Sequence, residues 1–118
     1  MKKIIFYSYL KCSTCRKAAK WLKSKDLEFQ LIDIVKEPPL VNYLNLALEQ
    51  CIDDKKRIFN TRGKAFKTLN IDINGLSREE MIQLLLSDGK LIKRPFLIYK
   101  EEKVILGFNE IEYSKQII

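Results

Sequence analysis

Cys12-Ser13-Thr14-Cys15 follows the apolar run Ile4-Ile5-Phe6-Tyr7 and opens a lysine-rich segment of helical period. The order is therefore strand, paired cysteines, helix. Two cysteines three positions apart at a helix start can close a small disulfide ring. Unpaired N–H groups and the helix dipole at that end favour thiolate over thiol. Thiol–disulfide chemistry is the first expectation for the chain.

Working outward, apolar Cys15, Ala18, Ala19 and Leu22 recur at helical spacing from Thr14 to Lys25, with Lys17, Lys20 and Lys23 on another face. Leu27–Ile34 reads as a second strand. The helix between makes a βαβ unit, whose strands should be parallel. Glu37-Pro38-Pro39 is a hard break, and proline suits the first turn of a helix. Leu40, Tyr43, Leu44, Ala47, Leu48 and Cys51 give that helix its apolar face. Asp53–Arg57 reads as a polar turn, and Ile58–Leu69 as short helical segments around Thr61-Arg62-Gly63. Ser77-Arg78-Glu79-Glu80 matches a capping box, followed at helix spacing by Met81, Leu84 and Leu85. Asp88-Gly89 ends that helix. Phe96–Tyr99 and Val104–Leu106 read as a hairpin, and Glu110–Ile117 as a final short helix. The expected architecture is α/β: βαβ, a helical insertion at about residues 39–90, then ββα. This is the strand order of a thioredoxin-like fold with a four-stranded mixed sheet, expected as a single domain over residues 1–118.

Composition narrows the chemistry. The 118 residues are 47% hydrophobic and 31% charged, which fits one globular domain. There is no histidine, so no Ser-His-Asp triad, Cys-His pair or imidazole base can be built. Three cysteines without histidine fall short of the usual four zinc ligands, and no metal is expected. No apolar run is long enough to span a bilayer. The start Met1-Lys2-Lys3-Ile4-Ile5-Phe6-Tyr7 is basic then apolar, but a signal peptide needs a longer apolar region and a small-residue cleavage site, so a cytoplasmic location is expected. The net charge of +7 comes from 22 basic and 15 acidic residues, with lysines scattered from Lys2 to Lys115. Aromatic residues do not alternate with them, so sequence-specific nucleic-acid binding is not expected, while an anionic partner stays open. A monomer satisfies all these features.

Cys12 precedes or opens the helix and should be the more exposed and more acidic thiol. Lys11 and Arg16 lie close in sequence and could stabilise its thiolate. Cys15, one turn in, faces the core side and would resolve a covalent intermediate formed at Cys12. The alternative is that both are small core residues. Arg94-Pro95 directly precedes the strand Phe96–Tyr99. In thioredoxin-like folds a cis-proline there lies against the redox cysteines, and Arg94 would bring a fixed positive charge to the same pocket. A trans proline at a strand start beside a surface arginine is the alternative. Asn60-Thr61-Arg62-Gly63 could bind an anion such as a glutathione carboxylate, or be a solvated turn with a C-cap glycine. Cys51 reads as a buried core cysteine.

Cys12-Ser13-Thr14-Cys15-Arg16-Lys17-Ala18, Trp21-Leu22, Asn60-Thr61-Arg62-Gly63, Lys93-Arg94-Pro95 and Gly107-Phe108-Asn109-Glu110 together resemble the arsenate reductase (ArsC)-like family, within it the Spx/MgsR-type and YffB-type members. The resemblance covers essentially the whole chain. It implies a thioredoxin fold with a helical insertion and Cys12 as nucleophile. Arg94 joins Cys12 and Cys15 as a candidate catalytic residue. Lys11, Arg16, Arg62 and Pro95 are candidates for binding substrate or thiol.

Glutaredoxin-coupled arsenate reductases similar to this chain use three arginines around the nucleophile. Only Arg94 sits at a matching place, with Asn60 and Gly107 at the other two and Arg62 nearby. Loss of two cations should weaken arsenate binding. Those enzymes typically lack the second cysteine, so Cys15 points to an internal Cys12–Cys15 disulfide. The expectation is a thiol–disulfide oxidoreductase without a bound cofactor. Glutathione is a candidate co-substrate, and glutathione, glutaredoxin or thioredoxin a candidate reductant. The alternative is an Spx-like redox-switched regulator that binds the C-terminal domain of the RNA polymerase alpha subunit. Spx regulators usually continue into a further helical tail. The end of this sequence at Ile118, with Gly63 after Arg62, favours the enzyme-like branch.

Overall fold

The computed structural model describes residues 3–117. Four strands form one sheet in the order β2-β1-β3-β4: β1 Ile4–Ser8, β2 Gln30–Asp33, β3 Phe96–Tyr99 and β4 Lys103–Leu106. β1 and β2 are parallel, as a strand–helix–strand crossover requires, and β1–β3 and β3–β4 are antiparallel. The register sets Tyr7 against Phe96, so the end of β1 meets the start of β3. Here the chain enters the dithiol loop on one strand and leaves Arg94-Pro95 on the other.

Side-chain alternation along the strands separates two cores. Ile4, Phe6, Leu97, Tyr99 and Ile105 pack against Ala18, Trp21 and Leu22 of α1 (Ser13–Ser24) and Tyr113 of α5 (Glu110–Gln116). Tyr7, Phe96, Ile98 and Val104 face the opposite way. They meet Leu44, Ala47 and Leu48 of α2 (Val41–Gln50) and Met81, Ile82 and Leu85 of α4 (Arg78–Ser87). The fold is a three-layer α/β sandwich of thioredoxin-like topology, with α2, the six-residue α3 (Lys64–Leu69) and α4 lying between β2 and β3 in sequence.

The second strand is shorter than the alternation of Leu27–Ile34 suggests. The Leu27 N–H donates to the Leu22 carbonyl at 3.1 Å, so residues 27–29 complete the turn out of α1. Leu31 is 63% exposed, because β2 is an edge strand and its outward side has no layer over it. The capping box at α4 is complete: Ser77 Oγ accepts from the Glu80 N–H at 3.1 Å, and Glu80 Oε1 accepts from the Ser77 N–H at 2.8 Å. Gly63 is the N-cap of α3 rather than a C-cap. A Cβ there would lie 2.5 Å from Asn60 Nδ2, so a larger residue would require the Asn60 side chain to shift.

Gly89 joins the helical block to the sheet. A Cβ on it would fall 2.0 Å from the Ile34 carbonyl oxygen, just past β2, and backbone cannot yield as a flexible side chain can. Gly89→Ala should therefore lose about 1–3 kcal/mol or more in urea unfolding. Ser77→Ala should lose about 1 kcal/mol through the cap. Gly75→Ala, with nothing within 4 Å of its Cβ, should stay within about 0.5 kcal/mol of the parent.

Candidate redox site at the start of the first helix

Cys12 is the N-cap of α1, with extended backbone at φ −96° and ψ 114°. Its N–H donates to the Tyr9 carbonyl at 3.0 Å, which folds the loop after β1 back on itself. Its Sγ accepts the Cys15 N–H at 3.3 Å. A sulfur thus takes the place that a serine or aspartate oxygen usually fills, satisfying one of the free donors of the helix end. The first turn of α1 contains no acidic residue to oppose negative charge there.

The two thiols are unlike. Cys12 is half-buried, and Cys15 is 1% exposed. Burial pushes the Cys12 pKa up, but hydrogen bonds from the Cys15 side chain and N–H, with the charge and a hydrogen bond of Arg94, outweigh it and bring it below the ordinary thiol value. Cys15 goes the other way. Burial, its side-chain hydrogen bond with Cys12 and the charge developing on Cys12 raise it to about 11. Both are free thiols in this structure, adjacent but not bonded to each other. Cys51 is also a free thiol, buried in the core under α2 and raised by burial.

The Arg94-Pro95 peptide bond is cis, as the proline at this point of the sequence led one to expect. The Pro95 carbonyl accepts the Gly107 N–H at 2.9 Å. Gly107 has φ +71°, a left-handed conformation that favours glycine. The Arg94 guanidinium lies over the Tyr9 ring, Cζ 5.0 Å from its centroid, and Nη1 donates to the Lys90 carbonyl at 3.3 Å.

A contact that pattern reasoning misses brings the helical block to this corner. Phe59 and Ile92 form an antiparallel bridge, with the Asn60 N–H on the Leu91 carbonyl and the Lys93 N–H on the Ile58 carbonyl, both at 2.8 Å. Asn60 Nδ2 then reaches the same Lys90 carbonyl as Arg94, at 3.4 Å. Asn60 and Arg94 therefore meet on one acceptor, although 34 positions separate them in sequence. No periodic signal marks residues 58–60 as strand-like. The one cue is the pair of short apolar runs Ile58-Phe59 and Leu91-Ile92.

The other candidates land as follows. Arg16 turns its Nη1 to the Leu10 carbonyl at 2.9 Å, bracing the loop from outside. Lys11 is exposed beside Cys12. Arg94 is the cation that acts on the Cys12 thiol. Arg62 is exposed on the turn before α3. Its neighbour Thr61 lines an open basic cavity of about 410 Å³ with Lys56, Arg57, Lys93 and one carboxylate, Asp54. Among the described residues no three His, Cys, Asp or Glu side chains gather as a metal site, and no helix is long and apolar enough to cross a membrane.

A cysteine N-capping the first helix after β1, a partner cysteine one turn in and a cis-proline at the start of the neighbouring strand β3 mark a thioredoxin-like fold. The sequence model of the ArsC family matches residues 7–116, and the chain belongs to that family. It is 41% identical over 114 residues to the uncharacterised protein YusI of Bacillus subtilis (strain 168), covering 95% of this chain and 96% of that one. It is 35% identical over 112 residues to the global transcriptional regulator Spx of Lactiplantibacillus plantarum, covering 95% of this chain and 84% of the regulator. A crystal structure described as a possible arsenate reductase from Streptococcus mutans UA159 superposes with a TM-score of 0.85 at 37% identity, over 92% of this chain and 93% of that one.

The site has a pH signature. Cys12 keeps its thiolate below the pH at which an ordinary thiol protonates, and loses it as pH falls through its own lowered pKa. Arg94→Leu removes two of the lowering influences. In site-resolved alkylation with iodoacetamide, the Cys12 midpoint should move to higher pH in that variant by about one unit. Cys15, held near pKa 11, should stay unmodified at neutral pH in both proteins.

Proposed function

We propose that this chain is a cytoplasmic thiol–disulfide oxidoreductase in which Cys12 attacks and Cys15 resolves. The observation that carries the reading is the opposed state of the two thiols: Cys12 lowered and half-buried, Cys15 raised to about 11 and closed off one turn away. A site that begins and finishes an exchange needs that asymmetry. The Cys12 thiolate attacks one sulfur of a substrate disulfide, forming a mixed disulfide, and the other sulfur leaves as a thiolate that takes a proton. Cys15 then gives up its proton, and its thiolate attacks Cys12 Sγ. The Cys12–Cys15 disulfide forms, and the second substrate thiolate leaves with a proton. The protein is oxidised by two electrons, and the substrate disulfide is reduced to two thiols. Two glutathione molecules restore the dithiol and leave as glutathione disulfide; glutaredoxin or thioredoxin would serve the same balance. The basic cavity beside Thr61 suits the carboxylates of glutathione. Arg62, exposed on the same turn, would add to that attraction.

Arsenate is a poorer substrate in this reading. The resemblance places arginines at the positions of Asn60 and Gly107, and Arg94 is left to face both the thiolate and any oxyanion. Turnover is the direct test. Cys12→Ser should lower disulfide reduction by at least about a thousandfold. Cys15→Ser should instead accumulate a mixed disulfide with glutathione, visible as a mass adduct on Cys12. A parent protein with no turnover in glutathione, glutaredoxin or thioredoxin systems would overturn the enzyme reading.

A second reading is favoured by the 35% identity to Spx over 95% of the chain. Here the same disulfide switches binding to the C-terminal domain of the RNA polymerase alpha subunit. A pull-down with that domain, run with reduced and oxidised protein, separates the two: redox-dependent capture supports the regulator, and no capture in either state removes it.

A further inference from the structure

We propose that Tyr9 is a positioning residue for the redox site: its ring holds the Arg94 guanidinium beside Cys12. The inference rests on the reading of Cys12 as the nucleophile and adds a residue to it. Three observations support it independently of that reading. The guanidinium lies over the ring face at 5.0 Å, within the range of a cation–π contact. Tyr9 is tied to the nucleophile by its own backbone, because its carbonyl accepts the Cys12 N–H at 3.0 Å. Arg94 Nη1 also donates to the Lys90 carbonyl, which Asn60 engages as well. The arginine is thus clamped between a ring on the dithiol loop and a carbonyl on the helical block. Without the ring, the 3.3 Å hydrogen bond to Lys90 and the hydrogen bond to Cys12 would have to hold a long side chain by themselves.

One face of the guanidinium is covered by Tyr9, Nη1 is engaged by Lys90, and the charge and a hydrogen bond of Arg94 act on Cys12. The other groups around Cys12 do not replace it. Cys15 faces it from α1, Arg16 is turned to the Leu10 carbonyl, and Lys11 is exposed to solvent. Tyr113 of α5 is raised by burial and by the charge of Cys15, and it is not among the groups that act on Cys12.

The test is the pH dependence of Cys12 alkylation by iodoacetamide, followed by peptide mass spectrometry on the full chain. It needs no substrate turnover, so its failure is separate from failure of the enzyme reading. Tyr9→Phe, which keeps the ring, should leave the Cys12 midpoint within about 0.2 pH unit of the parent. Tyr9→Leu should raise it by about half a unit and slow alkylation at pH 7 about threefold. In an Arg94→Leu background, Tyr9→Leu should add nothing further, because the ring acts through the arginine. If Tyr9→Leu does not fold, phenylalanines of increasing ring fluorination at residue 9 keep the shape while weakening the ring's attraction for a cation. The midpoint should then rise stepwise with fluorine count. An unchanged midpoint in Tyr9→Leu or across the fluorinated series, or an equal shift with and without Arg94, would overturn the proposal.

Discussion

The hydrogen bond from the Cys15 N–H to Cys12 Sγ, 3.3 Å long, is the contact on which the site depends. It makes a sulfur the cap of α1 and gives the two thiols different neighbours. Cys12 faces the free donors at the helix end and the Arg94 charge, while Cys15 is sealed among core residues at 1% exposure. A helix needs an acceptor at its N-terminus, and a thiolate is a better acceptor than a thiol. Helix stability and thiol acidity are coupled through one contact. Protonating or oxidising Cys12 therefore changes how α1 begins, which an enzyme or a redox switch could each exploit.

Around that bond the rest of the fold acts as scaffolding. Parallel pairing of β1 with β2 holds α1 across one face of the sheet. Antiparallel pairing of β1 with β3 brings the cis Arg94-Pro95 bond to the end of the dithiol loop. The Phe59–Ile92 bridge ties the helical block to the same corner, and the Lys90 carbonyl collects both Asn60 and Arg94. Asn60 thus shares an acceptor with the arginine, at a position where family resemblance expects another cation.

Local chemistry made much of this legible in the sequence. Ile4–Tyr7, the helix after Cys12, the Ser77 capping box and the hairpin ahead of α5 all carry patterns set by neighbouring residues, and each forms where those patterns point. The unequal cysteines followed from the strand–dithiol–helix order, and the cis proline from the likeness to thioredoxin-like folds. What stayed hidden is non-local. Residues 58–60 have no alternation long enough to announce a strand, and they pair only because residues 91–93 arrive beside them. The partner of Arg94 was equally hidden, since Tyr9 reaches it through the tertiary fold. Lys11 and Arg16 drew attention through sequence proximity, yet a guanidinium can turn to a loop carbonyl, as Arg16 does with Leu10. Edge position, which pattern cannot reveal, explains why Leu31 is exposed although it alternates like a core residue.

The central claim is that Cys12 and Cys15 form one redox pair with opposed roles, while Cys51 stands apart in the core. Disulfide mapping by mass spectrometry, on protein alkylated before and after mild oxidation, tests it most directly. The account predicts that Cys12 alone is alkylated at neutral pH in the reduced protein. After oxidation a Cys12–Cys15 disulfide should appear, with Cys51 still a free thiol. A disulfide involving Cys51, or Cys12 and Cys15 remaining unpaired after oxidation, would contradict it.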